Sequence, residues 1–343
     1  MATHFPGIHA LRGVAASFVV IFHAGHFAAV AAGKLADDIV KISLGSLGVM
    51  MFFIISGFVI TLNRHLPSAE FVSRRALRIY PAFWSAYALS AAIVAVAGLT
   101  TDFSWRALFL LPMRDTLQIH LPIWTLIFEV FFYAAATVLF ALRLSDRALT
   151  VIALCWIIVV QNMHPYVTGG TLAVLPGPFI PIAPYNVFFA LGMLCSIHFE
   201  RLSRVPVEAL LITAAVATAA LPLLPAQPHP TTLLVLGVGL SCIMIASTRI
   251  TRWPRTLLRL GDASYGLFLL HYAPMSAASV LLAGTGYAAP ALFGLMLLIG
   301  FGVGVPFGLA EYAFHRAILK WLLAAYFRRE GRTAGDAKAA SGS

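Results

Sequence analysis

The chain has 343 residues, 60% of them hydrophobic and only 10% charged, with a net charge of +10 and a mean hydropathy of +0.90. No soluble domain of this length needs so much apolar surface, and the apolar runs of about twenty residues that recur along it read as membrane spans. A separate soluble domain is excluded, and the placement of the basic residues accounts for the charge without nucleic acid.

Ten spans follow in chain order, at roughly 8–30, 43–63, 79–98, 122–142, 149–165, 181–199, 207–223, 231–248, 263–284 and 290–320. The first carries Arg12 and His23 in LRGVAASFVVIFH. Eleven steps of about 100° return the second side chain to the face of the first, about 16 Å further along the axis. Ionisable groups inside a span are expensive and mark a functional path. They also argue against a cleaved leader, as does the lack of a small-residue cleavage site after the run. His26 lies one turn beyond His23, but no third ligand accompanies the two, so no metal is expected.

Ser56 lies in the second span, where helix packing competes with a polar role for its hydroxyl. The link that follows holds SRRALRIYP, with Arg74, Arg75 and Arg78. Arg75 and Arg78 would share a face if helical, and arginine forks suit phosphate groups. Topology-setting charge and lipid headgroup contact are the bland alternative. Glu129 sits about 10 Å below the outer start of span four and His23 about 22 Å above the cytoplasmic start of span one, which gives them similar depth. A carboxylate beside an imidazole raises its basicity and can fix its tautomer, as a general base requires. Set against this are a buried histidine bonded to a backbone carbonyl and a glutamate held in a structural ion pair.

Pro165, Pro176, Pro178, Pro181 and Pro184 crowd the connection between spans five and six. His271, in SYGLFLLHYAP, should lie near mid-membrane in span nine and either packs or lines a site. Asp262 or Ser264 is expected to cap the cytoplasmic start of that helix. Glu311, in GLAEYAFHR, falls at a depth where it could compensate Arg12. The Gly304–Gly308 spacing permits close helix packing.

The links after even-numbered spans and the C-terminal end hold 18 of the 23 basic residues, while the opposite links hold only Lys34, Lys41, Arg106 and Arg114. That asymmetry puts both termini in the cytoplasm. The expected fold is therefore all-α, a polytopic bundle over residues 1–327 with a basic cytoplasmic tail, of which 331–343 read as disordered. Cys155, Cys195 and Cys242 lie in separate apolar runs without metal or redox spacing, and no internal repeat of the transporter kind is visible.

Taken together, the motifs resemble acyltransferase family 3, integral membrane enzymes that O-acylate sugars and other hydroxyl compounds. The resemblance runs from the first span to the last. It rests on LRGVAASFVVIFH, SLGVMMFFIISGFVI, SRRALRIYPAFW, PIWTLIFEVFFY, DASYGLFLLHYAP and the glutamate of GLAEYAF, in the family's order. The W-T-L-x-x-E-x-F-F-Y form is similar to members that decorate bacterial exopolysaccharides. Two positions depart: Met50 stands where many members have a polar residue, and the Glu-Tyr-Ala-Phe ending differs from the usual Glu-Lys-Pro-Phe-like one.

The resemblance implies a multi-pass protein of the bacterial inner membrane, among membrane lipid. Its donor would be cytoplasmic acyl-coenzyme A, usually acetyl, and its acceptor a saccharide or lipid-linked glycan at the outer face. It further implies that His23 is the essential histidine with Arg12 its motif partner, and that Glu129 is the family's acidic residue. Arg75 and Arg78, with neighbouring Arg74, would meet the coenzyme's phosphates. Ser56, Trp124, Tyr133, Tyr265, His271 and Glu311 are expected to line the cavity. His23, oriented by Glu129, would act as general base or as a transient acyl carrier, with Arg12 and Ser56 stabilising developing charge. A proton-coupled sugar transporter or flippase, relaying protons through His23, Glu129 and His271, is the rival reading.

Overall fold

Where water is absent, a backbone must satisfy its own hydrogen bonds, and the apolar runs do so as helices. The computed structural model describes residues 5–34, 44–101, 103–113, 120–167, 177–225 and 229–340, with backbone alone at 164–167, 177–178 and 319–340. In order the helices are α1 (Pro6–Ala31), α2 (Leu44–Leu62), α3 (Ser68–Val96), α4 (Trp105–Leu108), α5 (Ile123–Ala141), α6 (Asp146–Val167) and α7 (Asn186–Ile197). There follow α8 (Phe199–Leu202), α9 (Val207–Ala220), α10 (Pro230–Ser247), α11 (Arg255–Leu270), α12 (Tyr272–Leu281) and α13 (Ala289–Ala340). No strand occurs among the described residues.

Seven of these helices, α1, α2, α3, α5, α6, α10 and α13, are long and apolar enough to cross a membrane. Large apolar side chains such as Val138, Ile158, Ile212 and Leu298 stay exposed on the outside of the bundle, the surface a lipid-embedded protein presents. The chain is an all-helical, multi-pass membrane protein.

Several boundaries differ from those expected, each for a local reason. The expected ninth span is broken at His271 into α11 and α12. Pro274 has no N–H to give the Leu270 carbonyl four residues back, and its ring crowds that carbonyl. Helix α11 begins at Arg255 behind Pro254, so Asp262 and Ser264 sit mid-helix and cap nothing. Asp262 Oδ1 instead meets His9 Nε2 of α1 at 2.9 Å, and the Ser264 hydroxyl donates to the Gly261 carbonyl at 2.8 Å. Helix α3 starts eleven residues before the expected span, so Arg74, Arg75 and Arg78 lie on a helix rather than in a link. Helix α13 carries through residues 331–340, and 341–343 lie outside the described residues. The expected span at 181–199 is a 3-10 turn (Gly177–Ile182) followed by the shorter α7.

Pro81, inside α3, leaves the Leu77 carbonyl without its helical donor, and His315 of α13 hydrogen-bonds that group instead. The segment around α4 folds back along α3: the Trp84 indole donates to the Leu108 carbonyl at 3.0 Å and the Tyr80 hydroxyl to that of Phe109 at 3.2 Å. Those anchors lie about 18 and 24 Å before the end of α3. The non-helical backbone at that depth is thereby satisfied by side chains.

Helices α1 and α2 form the centre, α2 against α7 and α1 against α11 and α13. The α2–α7 contact is backbone to backbone. A Cβ on Gly57 would strike the Phe189 carbonyl, and one on Gly192 the Ile54 carbonyl. The Gly304–Gly308 pair does what its spacing suggested, with Gly308 against the Ala263 carbonyl and Gly304 against Leu267 of α11. Beside α7, Phe132 of α5 stacks on Phe189 at 3.9 Å.

These approaches separate two kinds of glycine. Gly192→Ala is expected to destabilise the bundle by about 1–3 kcal/mol through overpacking. Gly302→Ala, where nothing lies within 4 Å, is expected to be neutral or slightly stabilising. Unfolding midpoints of the two variants in one detergent check this.

Candidate active site

Helix α3 brings Arg75 and Arg78 inward because positions i and i+3 share a face, while Arg74 points away. Arg74 pairs with Glu70 at 2.5 Å on the surface and takes no part in the cavity. Arg75 and Arg78 line a cavity of about 100 Å³ with Arg12 of α1, Ser56 of α2, Glu129 and Tyr133 of α5, and Tyr265 of α11. Its apolar walls include Val49, Phe52, Phe53, Leu126 and Phe268. Met50 is fully buried in the core instead, consistent with an apolar side chain at that position.

The charges are arranged around a buried pair. Arg78 Nη1 donates to Glu311 Oε1 at 2.7 Å, with the glutamate side chain only 5% exposed. The guanidinium of Arg78 also lies 4.7 Å over the Tyr265 ring, whose hydroxyl donates to the Ile79 carbonyl of α3. Arg75 sits 5.4 Å from the rings of both Phe71 and Tyr133. Glu129 accepts the Tyr133 hydroxyl at 2.6 Å, an i, i+4 contact along α5. Arg12 is within electrostatic reach of Arg78, Glu129 and Glu311. Among the described residues neither Arg12 nor Arg75 has an ion-pair partner. Three guanidinium groups therefore face two carboxylates, and the cavity carries an excess positive charge when both are ionised.

Two expected pairings are corrected by this geometry. Glu311 compensates Arg78 rather than Arg12, because α13 meets α3 at that level. Glu129 is spent on Tyr133 and does not orient His23. The partner of His23 is His271: Nδ1 of His23 and Nε2 of His271 lie 2.9 Å apart, where the α11–α12 break turns the second ring toward α1. Phe22, Phe27 and Tyr272 surround the His23 ring, and His271 is completely buried.

The histidine pair stands outside the cavity. Phe268, a cavity wall, has its ring 6.2 Å from that of His271 and 5.5 Å from that of Phe52. The Phe52–Phe268 pair thus lies between the arginines and the histidines. Of the expected lining, Ser56, Tyr133 and Tyr265 are present, while Trp124, His271 and Glu311 are elsewhere. Trp124 packs edge-on against Phe128 and Tyr185. The two phenylalanines were missed in sequence because they look like any other apolar span residue. So was the contact of His120 Nδ1 with the Ser276 hydroxyl at 3.1 Å, which joins the start of α5 to α12. Among the described residues no group of three or more His, Cys, Asp or Glu side chains could hold a metal ion.

Residues 5–310 match a family described as "Acyltransferase domain". The chain is 29% identical over 287 residues to the "Exopolysaccharide production protein ExoZ" of Rhizobium meliloti (strain 1021), which covers 77% of this chain and 87% of that protein. No solved structure matches.

The Arg78–Glu311 pair can be tested by itself. Arg78→Met, which leaves Glu311 buried and unpaired, is expected to lose about 3–5 kcal/mol of stability, and Arg78→Met/Glu311→Leu to regain most of it. Unfolding midpoints of single and double variants make the comparison.

Proposed function

The chain belongs to the acyltransferase family, and from that premise we propose that it moves an acyl group, acetyl in the simplest case, from acyl-coenzyme A to a hydroxyl of a saccharide destined for exopolysaccharide. The observation that carries this reading is the cavity's excess of guanidinium over carboxylate, with no ion-pair partner for Arg12 or Arg75 among the described residues. An anionic donor supplies the missing negative charge, and arginine forks suit its phosphates. The proposed topology has ten crossings, α11 and α12 together counting as one. It puts the Arg-rich ends in the cytoplasm of a bacterial inner membrane, so the donor enters on the arginine side and the acceptor approaches His23 from the opposite side.

Arg12 lies about 16 Å along α1 from His23, too far to stabilise charge at atoms that His23 touches. Its role in the proposal is on the donor's path, with Arg75 and Arg78. Glu129 balances these guanidiniums and holds the Tyr133 hydroxyl. The acyl end then reaches His23 past Phe52 and Phe268.

At His23 the chemistry is general-base acyl transfer. The imidazole takes the proton of the acceptor hydroxyl while that oxygen bonds to the thioester carbon. The carbon–sulfur bond then breaks, and the thiolate takes the proton back from the imidazolium. The products are an ester and free coenzyme A, and His23 returns to its starting state. The resemblance of the chain to a protein named for exopolysaccharide production supports a saccharide acceptor.

Purified protein in liposomes, given labelled acetyl-coenzyme A and candidate glycans, tests the proposal. Label should appear on the glycan. His23→Gln should lower kcat by about 10² to 10⁴-fold, and Arg75→Ala should raise the donor KM about tenfold with a smaller change in kcat. Movement of unmodified glycan across the bilayer, with no label transferred, would instead support the transporter reading.

A further inference from the structure

His271 has a place in the fold that simple packing does not require. Pro274 ends α11 at Leu270, and the ring at the break is fully buried between α1 and the two half-helices. Its Nδ1 lies 3.0 Å from the carbonyl of Leu267, one turn back. A carbonyl only accepts, so the neutral ring carries its hydrogen on Nδ1 and offers a lone pair at Nε2. That lone pair lies 2.9 Å from Nδ1 of His23. His23 must therefore donate from Nδ1, which leaves its own Nε2 unprotonated.

We infer that His271 is a positioning residue that holds His23 in its Nδ1–H tautomer, so that the Nε2 lone pair is the one available to take a proton. The inference rests on His23 being the base of the proposed acyl transfer. The chain of direction runs from a backbone carbonyl of α11 through two imidazoles to the reacting nitrogen, the task that a carboxylate performs in a Ser-His-Asp triad. A neutral partner suits this depth, because it orients the ring without burying a charge. The other groups facing His23 are Tyr272 on α12, His26 on its own helix, and the Val19 carbonyl one turn earlier. Among the described residues, the Val19 carbonyl is the rival fixed acceptor.

Two substitutions separate positioning from packing. His271→Phe keeps a ring of similar size and removes the acceptor, whereas the amide oxygen of His271→Gln can still accept from Nδ1. The Phe variant is expected to lose about 10²-fold in kcat with the donor KM within about twofold of wild type, and the Gln variant to stay within about fivefold in kcat. The tautomer is read directly by solid-state 15N spectra of histidine-labelled protein in lipid, with His23 assigned by the signal lost in His23→Gln. Wild type and His271→Gln should show the Nδ1–H form, and His271→Phe should shift toward Nε2–H. An unchanged tautomer in His271→Phe would mean that the Val19 carbonyl suffices and would overturn the role given to His271. Equal kcat losses in the Phe and Gln variants would overturn it as well. The spectra need no substrate, so their failure counts against His271 alone. Full activity in His23→Gln would instead defeat the acyl-transfer reading on which the inference rests.

Discussion

A polar group carried into an apolar bundle has no water to fall back on, so it must find its partner among neighbouring helices or lose several kcal/mol. This constraint organises the interior of the molecule. Arg78 finds Glu311, Tyr133 finds Glu129, His9 finds Asp262 and His23 finds His271. Three of these four contacts join helices distant in sequence, and those helices approach closely because small residues line the crossings. Gly308 lets α13 lie against α11, which brings Glu311 within reach of α3. The packing and the polar network are therefore one arrangement. A bulkier α11–α13 crossing would shift Glu311 away from Arg78 and leave both groups buried and unpaired.

The same constraint explains the irregular backbone. Each of Pro81 and Pro274 removes a helical donor, and each falls where another element uses the disturbance. At Pro81 the freed Leu77 carbonyl is taken by His315. At Pro274 the break turns His271 toward α1. The fold-back around α4 is similar, with its carbonyls satisfied by Trp84 and Tyr80. At Pro81 and around α4 the freed carbonyls are taken by side chains, which is how a membrane protein tolerates such departures from regular helix.

Much of this was legible in the sequence, and the parts that were not share a cause. Ionisable residues inside apolar runs singled out Arg12, His23, Glu129, His271 and Glu311, the basic cluster of an expected link singled out Arg75 and Arg78, and their i, i+3 spacing puts those two on one face of α3. Periodicity places a residue on a face and at a depth, but it does not say which helix stands opposite. His23 and Glu129 do fall at comparable expected depths, yet His271 and Tyr272, at the junction of α11 and α12, and not α5, lie against α1 at His23. The pairing therefore went to His271. Arg12 and Glu311 were matched by depth in the same way, and the neighbour of α13 at that level proved to be α3. The Glu129–Tyr133 contact was within reach of sequence, because an i, i+4 pair on one helix needs no knowledge of neighbours.

The Phe52–Phe268 pair makes the relation between the two polar groups more than one of distance. On the proposed reading, the donor's phosphates are held among guanidiniums on one side of it and its thioester is used by a neutral histidine pair on the other. Those environments have opposite needs. Phosphates are bound best where cations are in excess, but an imidazole beside three arginines would be a poorer base, since each positive neighbour disfavours taking up a proton. A separation of about 16 Å along α1, with two apolar rings between, relieves His23 of most of that field. On the same proposal it would also keep bulk water on the donor side from the thioester, where hydrolysis would compete with transfer. The arginine cavity and the histidine pair are thus better understood as two stations that function because they are kept apart than as one extended site.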